Sequence, residues 1–156
     1  MDGGSPALSW GVTGGVIALV AVLVVATAVG LVLRRRAGRF RPGPAEAGGK
    51  PARAQDEALT EADLGSTLGD RATLVQFSTA FCAPCRATRV ILADVAKQVD
   101  GVTHVEIDAE SHLDLVRTLD IRRTPTVLVL GPDGRIAQRA SGQPRKADVI
   151  AAIGAI

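Results

Sequence analysis

The chain has 156 residues, room for one ordinary domain and an appendage, and is 47% hydrophobic but only 3% aromatic, so Val, Leu, Ile and Ala must fill any core. Its net charge of +2 is laid out unevenly: residues 34–55 hold seven basic side chains against the single acidic Glu46, while residues 56–156 hold eleven basic and fourteen acidic. The weakly acidic C-terminal part excludes a general electrostatic case for nucleic-acid binding, and the basic excess of 34–55 suits a membrane surface.

Residues 1–11 form a short N-terminal segment. Val12 to Leu33 is a run of 22 residues without a charge, mostly Val, Ala, Leu and Ile. At roughly 1.5 Å per residue, a helix of that length covers the ~30 Å hydrocarbon core of a bilayer. Trp10 precedes the run at an interfacial position and Arg34-Arg35-Arg36 closes it. The run predicts one transmembrane helix over 12–33. A core helix would not be apolar on every face, and a signal peptide would carry Lys or Arg ahead of a shorter apolar stretch. The positive flank lies on the C-terminal side, which predicts a cytoplasmic C-terminal domain. That rule is a bias, and the extracytoplasmic side stays open.

Residues 34–55 are rich in Gly, Pro, Ala and Arg with no hydrophobic period, and read as a flexible linker. Residues 56–156 then alternate in type, as an α/β domain does. Thr60-Glu61-Ala62-Asp63 resembles a capping box opening a short helix near Leu59–Leu68. Thr73–Ser78 is a predicted strand, and Pro84–Val99 a helix with Ala87, Ile91, Leu92, Val95 and Val99 on one face. Val102–Ile107 is a second strand, and Leu113–Leu119 a helix with Leu115 and Leu119 inward. Thr126–Leu130 is continuously apolar, as in a central strand covered on both faces. Gly131-Pro132-Asp133-Gly134 turns into a strand over Arg135–Ala140. Pro144–Ile156 closes as a helix with Val149, Ile150 and Ile153 inward.

The chain has two cysteines, Cys82 and Cys85, in the segment Cys82-Ala83-Pro84-Cys85. A bridge over so short a loop removes little entropy from the unfolded chain, so stability is a poor reason for the pair and chemistry a better one. Placed after a strand and at the start of a helix, Cys82 meets unpaired N–H groups and the positive dipole end, which stabilise a thiolate. Cys85, one turn in, can attack a mixed disulfide. Pro84 sits in the first turn, where its missing N–H costs nothing, and Arg86 adds positive charge. Zinc is the competing use of C-x-x-C, but the only histidines, His104 and His112, lie eight residues apart. His104 falls in a strand and is expected to point away from the first helix of the domain. No metal is expected.

Phe81-Cys82-Ala83-Pro84-Cys85-Arg86 resembles the active-site segment of thioredoxins, usually W-C-G-P-C-K. Thr124-Pro125-Thr126 is similar to that family's cis-proline segment, and Gly134 and Gly142 match common family glycines. The resemblance covers residues 70–156 and implies a thioredoxin fold, a central mixed sheet flanked by helices, here preceded by one transmembrane helix. It implies that Thr124 and Pro125 present backbone to a substrate strand beside Cys82, with Phe81 and Pro84 in the same surface. It departs from the family where an acidic residue usually lies six positions before the first cysteine: that position is Gln76, which cannot take a proton. Gln76 is expected to hydrogen-bond backbone or water and to slow resolution. Phe81 and Ala83 replace the usual Trp and Gly, and Val90 a frequent kinking proline.

The implied function is a membrane-anchored thiol–disulfide oxidoreductase exchanging with protein substrates through Cys82 and Cys85, most simply a reductase. Its redox group would be the Cys82–Cys85 disulfide, with no other cofactor, and its partners protein disulfides, an upstream redox donor and the bilayer. Two other readings stay open: an extracytoplasmic oxidant or isomerase of envelope biogenesis, and a non-catalytic binding module. The Arg- and Ala-rich composition suits a GC-rich bacterial genome.

Overall fold

A computed structural model describes residues 7–36, 38–42 and 58–156. Residues 1–6, residue 37 and linker residues 43–57 lie outside the described residues, as does the side chain of Trp10. The chain divides into two compact units, residues 1–36 and 37–156.

The first unit is one helix, α1 (Ala7–Arg36). From Gly14 to Leu33 it is long and apolar enough to cross a bilayer, and its apolar side chains are exposed along that length. Thr27 donates its hydroxyl to the Leu23 carbonyl at 2.7 Å, so its one polar group there is satisfied within the helix.

In the second unit, β1 (Arg41–Pro42), α2 (Glu61–Leu64), β2 (Ala72–Ser78), α3 (Ala83–Gln98), β3 (Val102–Asp108), α4 (Leu113–Thr118), β4 (Thr126–Leu130), β5 (Ile136–Ser141) and α5 (Lys146–Ile153) come in order. The sheet runs β1-β5-β4-β2-β3. β2 and β3 are parallel, joined through α3, and the remaining pairs are antiparallel. The sheet is therefore mixed and flanked by helices, as expected.

Period-two alternation divides the core into two layers. Leu74, Val127 and Val129 point to one face and pack with Leu92 and Val95 of α3 and Val149, Ala152 and Ile153 of α5. Val75, Phe77, Leu128 and Leu130 point to the other face and pack with Leu64, Leu119 and Ile121. Every residue of β2 and β4 is buried, which explains why β4 reads as a continuous apolar run, while β2 buries Thr73, Gln76 and Ser78 among its apolar residues. β2 is thus clamped from both sides, and its C-terminal end is a rigid support for the loop that leaves it.

Several expectations shift. The capping box is present: Thr60 N–H donates to Asp63 Oδ2 at 2.8 Å, and Asp63 N–H to Thr60 Oγ1 at 3.3 Å. The helix nevertheless stops after one turn, because Gly65 takes the left-handed conformation (φ 62°) that caps it. Ile150 is 43% exposed rather than inward. On α5, Val149, Ala152 and Ile153 make the stripe, and a residue one step from Val149 lies about 100° round the helix.

The start of the predicted linker is folded. Gly38 N–H donates to the Ser141 carbonyl at 2.9 Å, Arg41 and Pro42 pair with Arg139 and Gln138 of β5, and Phe40 packs against the α3–α5 layer. Tertiary pairing along the open edge of β5 orders a segment that has no periodicity of its own. Gly38 is needed there: it has φ 78°, and a Cβ would overlap the Gln143 carbonyl oxygen.

Candidate functional site

β2 delivers the chain at Ser78 to the loop Thr79–Phe81, and Cys82 then caps the N-terminus of α3. The Cys85 N–H points at Cys82 Sγ at 3.1 Å, so the sulfur occupies the place where a helix start offers unpaired donors. Cys82 and Cys85 form a disulfide, with their Cα atoms 5.2 Å apart. The two sulfurs are not equivalent. Cys82 is half-buried at the surface, whereas Cys85 is 2% exposed. Ala83, Pro84 and Arg86 are exposed around the pair, and Phe81 is fully exposed beside it. Val90, on the outer face of α3, is also exposed.

The Thr124–Pro125 peptide is cis, as the resemblance implies. Two contacts hold its loop. Gly142 N–H donates to the Pro125 carbonyl at 2.7 Å, and Thr126 Oγ1 donates to the Arg123 carbonyl at 2.8 Å. Thr79 ties this loop to the cysteine loop. Its carbonyl accepts from Cys82 N–H at 3.4 Å, and its hydroxyl is hydrogen-bonded to that of Thr124 at 3.3 Å. Cys82, Cys85, Phe81 and Pro84 are thereby joined to Thr124 and Pro125 in one site. Thr79 carries no motif, so only the contact between the loops shows its part.

Beneath Cys85 lies a polar cluster. Gln76 has no solvent exposure, and its Nε2 donates to the Cys85 carbonyl at 2.9 Å and to Ser78 Oγ at 2.8 Å. The expected backbone hydrogen bond is thus present. Next to it on β3, in register, is Glu106. Arg89 of α3 donates to Glu106 at 2.8 Å. Burial pushes the Glu106 carboxyl up, but Arg89 and the Ser78 hydroxyl outweigh it and hold the group below the usual carboxylate range.

His104 is two residues back on β3 and shares that face. It therefore lies under α3, and the expectation that it points away from that helix is corrected. Residues 102, 104 and 106 face α3, as Val102 in the α3–α5 layer and Arg89–Glu106 show, while Val105 and Ile107 face the other layer. Burial pushes the His104 imidazole below its ordinary value; Glu106 opposes this and Arg89 adds to it. His112 is remote in role: exposed at the start of α4, its Nδ1 lies 3.0 Å from the Asp108 carbonyl. Among the described residues no group of three or more His, Cys, Asp or Glu side chains is placed to hold a metal ion.

Chemically, an accessible sulfur at a helix N-terminus with a shielded sulfur one turn on can alternate between dithiol and disulfide. Ser78, Arg89 and Glu106 were not singled out by sequence. The one signal available was the polar alternation of Thr103-His104-Val105-Glu106-Ile107-Asp108, which marks one face of β3 as polar.

Comparison with known proteins agrees with this geometry. The family model described as Thioredoxin matches residues 56–155. Thioredoxin H5 of Oryza sativa subsp. japonica is 25% identical over 72 residues, covering 46% of this chain and 53% of that protein. Thioredoxin C-2 of Corynebacterium nephridii is 32% identical over 73 residues, covering 46% of this chain and 68% of that protein. The chain thus spans about half the length of the first relative and about two thirds of the second. Chloroplastic thioredoxin z superposes with a TM-score of 0.51 at 31% identity, covering 55% of this chain and 78% of that one.

Proposed function

The chain belongs to the thioredoxin family and carries the cysteine pair of a thiol–disulfide oxidoreductase; from that premise we propose that it is a membrane-anchored reductase of protein disulfides. The observation that carries the reading is the inequality of the two sulfurs, one accessible at the helix N-terminus and one buried. In the dithiol form, the Cys82 thiolate attacks a substrate disulfide. A Cys82–substrate bond forms, and one substrate sulfur leaves as thiolate. Cys85 then attacks Cys82 Sγ and releases the second substrate sulfur. The pair ends oxidised and the substrate reduced, and an upstream thiol donor restores the dithiol.

The cis-proline loop supports capture of an extended substrate segment. The Thr124 N–H and C=O make no hydrogen bond among the described residues, and Phe81 offers an exposed apolar platform. The helix α1 supports anchoring through residues 12–33, and the arginines after it favour a cytoplasmic domain.

The test is trapping. Cys85→Ser should accumulate mixed disulfides through Cys82, and Cys82→Ser should accumulate none; equal trapping by both sinks the assignment of roles. A reduction potential near about −270 mV supports a reductase, and one near about −120 mV supports an oxidant instead. A reporter fused at the C-terminus reads sidedness.

A further inference from the structure

Two buried side-chain polar atoms lack a hydrogen-bond partner among the described residues: Gln76 Oε1 and His104 Nε2. An unpaired buried polar atom costs about 1–3 kcal/mol, so two on one sheet face call for an explanation. They come from adjacent strands. β2 and β3 pair Leu74 with His104 and Gln76 with Glu106, which makes Gln76 and His104 diagonal neighbours on the face under α3. Both side chains project from adjacent strands toward α3, an arrangement in which one water could bridge the amide oxygen and the imidazole.

The surrounding bonds fix which way the amide faces. The Gln76 amide cannot turn over, because its Nε2 serves two acceptors, the Cys85 carbonyl and Ser78 Oγ. Its Oε1 is therefore held on the remaining side of an amide already bonded to Cys85. Glu106, the adjacent carboxylate, is engaged by Arg89 and is a poor proton acceptor.

Resting on the oxidoreductase reading, we propose that His104 is the base that receives the Cys85 thiol proton, through one water held on Gln76 Oε1, as Cys85 resolves the mixed disulfide. The Cys85 S–H bond breaks and its proton passes to the water, while a water proton passes to His104 Nε2. The Cys85 sulfur bonds Cys82 Sγ, the Cys82–substrate bond breaks, and its electron pair leaves on the substrate sulfur. The imidazolium returns the proton to solvent. A water bonded to Gln76 Oε1, His104 Nε2 and the Cys85 thiol would have the usual three hydrogen bonds of a buried water. The charged groups facing His104 are Arg89 from α3 and Glu106 from its own strand; β2 presents only Leu74 and Gln76. Burial pushes the imidazole below its ordinary value, which favours the neutral, accepting form.

The test uses the full chain in detergent micelles. Its dithiol form is mixed with a nitrobenzoate disulfide, and the second equivalent of coloured thiol, released on resolution, is timed across pH. His104→Asn and Gln76→Leu should each slow that release by about 10²-fold at neutral pH, the lower range for a positioned base. In both, the rate should keep rising up to the ionisation of the thiol itself, and His112→Asn should match wild type. In wild type, the rate should level off at the pH where the His104 imidazole titrates by NMR, a readout independent of any variant's folding. A wild-type profile in His104→Asn, or a mismatch of those midpoints, overturns the role of His104 alone. A wild-type chain that never releases the second equivalent overturns the oxidoreductase reading and this role with it.

Discussion

Gln76 and Cys85 are joined by a 2.9 Å hydrogen bond from the side-chain Nε2 to the backbone carbonyl, so a neutral group fastens the first turn of α3 to β2. A carboxylate at position 76 would meet that carbonyl as a second acceptor.

Gln76→Asp therefore separates speed from stability. A carboxylate close to Cys85 should accelerate mixed-disulfide resolution at neutral pH by about tenfold, part of the ~10²–10⁴ that a positioned base contributes. The variant loses both donors of the amide, at a cost of about 1–3 kcal/mol. Burial would raise the new carboxyl above its unfolded value, so stability is retained below that unfolded value and falls further as pH rises through the folded one. Stopped-flow kinetics and denaturation against pH read the two effects. Resolution no faster than wild type would show that Gln76 imposes no delay.

Phe81→Ser should leave stability within about 0.5 kcal/mol, because the ring is fully exposed and packs on nothing. If Phe81 is a platform for substrate, KM for a protein disulfide should rise several-fold while reaction with a small aromatic disulfide stays unchanged. An equal effect on both substrates would place Phe81 in tuning Cys82 instead.

The Arg89–Glu106 pair should contribute little to stability, since the Arg89 side chain is 57% exposed and solvent screens it. The folded Glu106 carboxyl lies below its ordinary value, so the contribution is present above the unfolded value and is lost as pH falls through the folded one. Arg89→Gln should lower the thermal midpoint slightly at neutral pH and converge with wild type only once the pH has fallen through the lowered value of the folded Glu106 carboxyl. A gap that persists in acid would assign the loss to packing of the arginine stem.

Gly38→Ala should detach the first residues after α1 from the sheet. The left-handed backbone and the overlap with the Gln143 carbonyl leave no room for a methyl group. The amide of residue 38 should lose its protection from hydrogen exchange, while the Cys82–Cys85 couple keeps its potential. Retained protection would mean that β1 pairs without help from this residue.

How much of the molecule was legible depended on whether the signal was local. β2, α3 and β4 could be read because each carries a full pattern of burial within its own residues. β1 could not, since Arg41 and Pro42 are strand residues only by virtue of β5. α2 was overextended because the left-handed stop at Gly65 carries no hydrophobic signature. In the site, Cys82, Cys85 and Pro125 lie in short recognisable segments. The cluster of Gln76, Ser78, Arg89, His104 and Glu106 is spread over three elements, and the register of β2 on β3 is what makes it a cluster. The misjudged direction of His104 is the same lesson, because the face covered by α3 is settled by the crossover and not by the strand.

The two-residue strand β1 has a consequence for how neighbouring molecules would meet. An open strand edge such as that of β5 could recruit the same strand of another copy. Arg41 and Pro42 occupy that position first. So short a strand, ending in a residue with no N–H, offers another backbone almost nothing to extend.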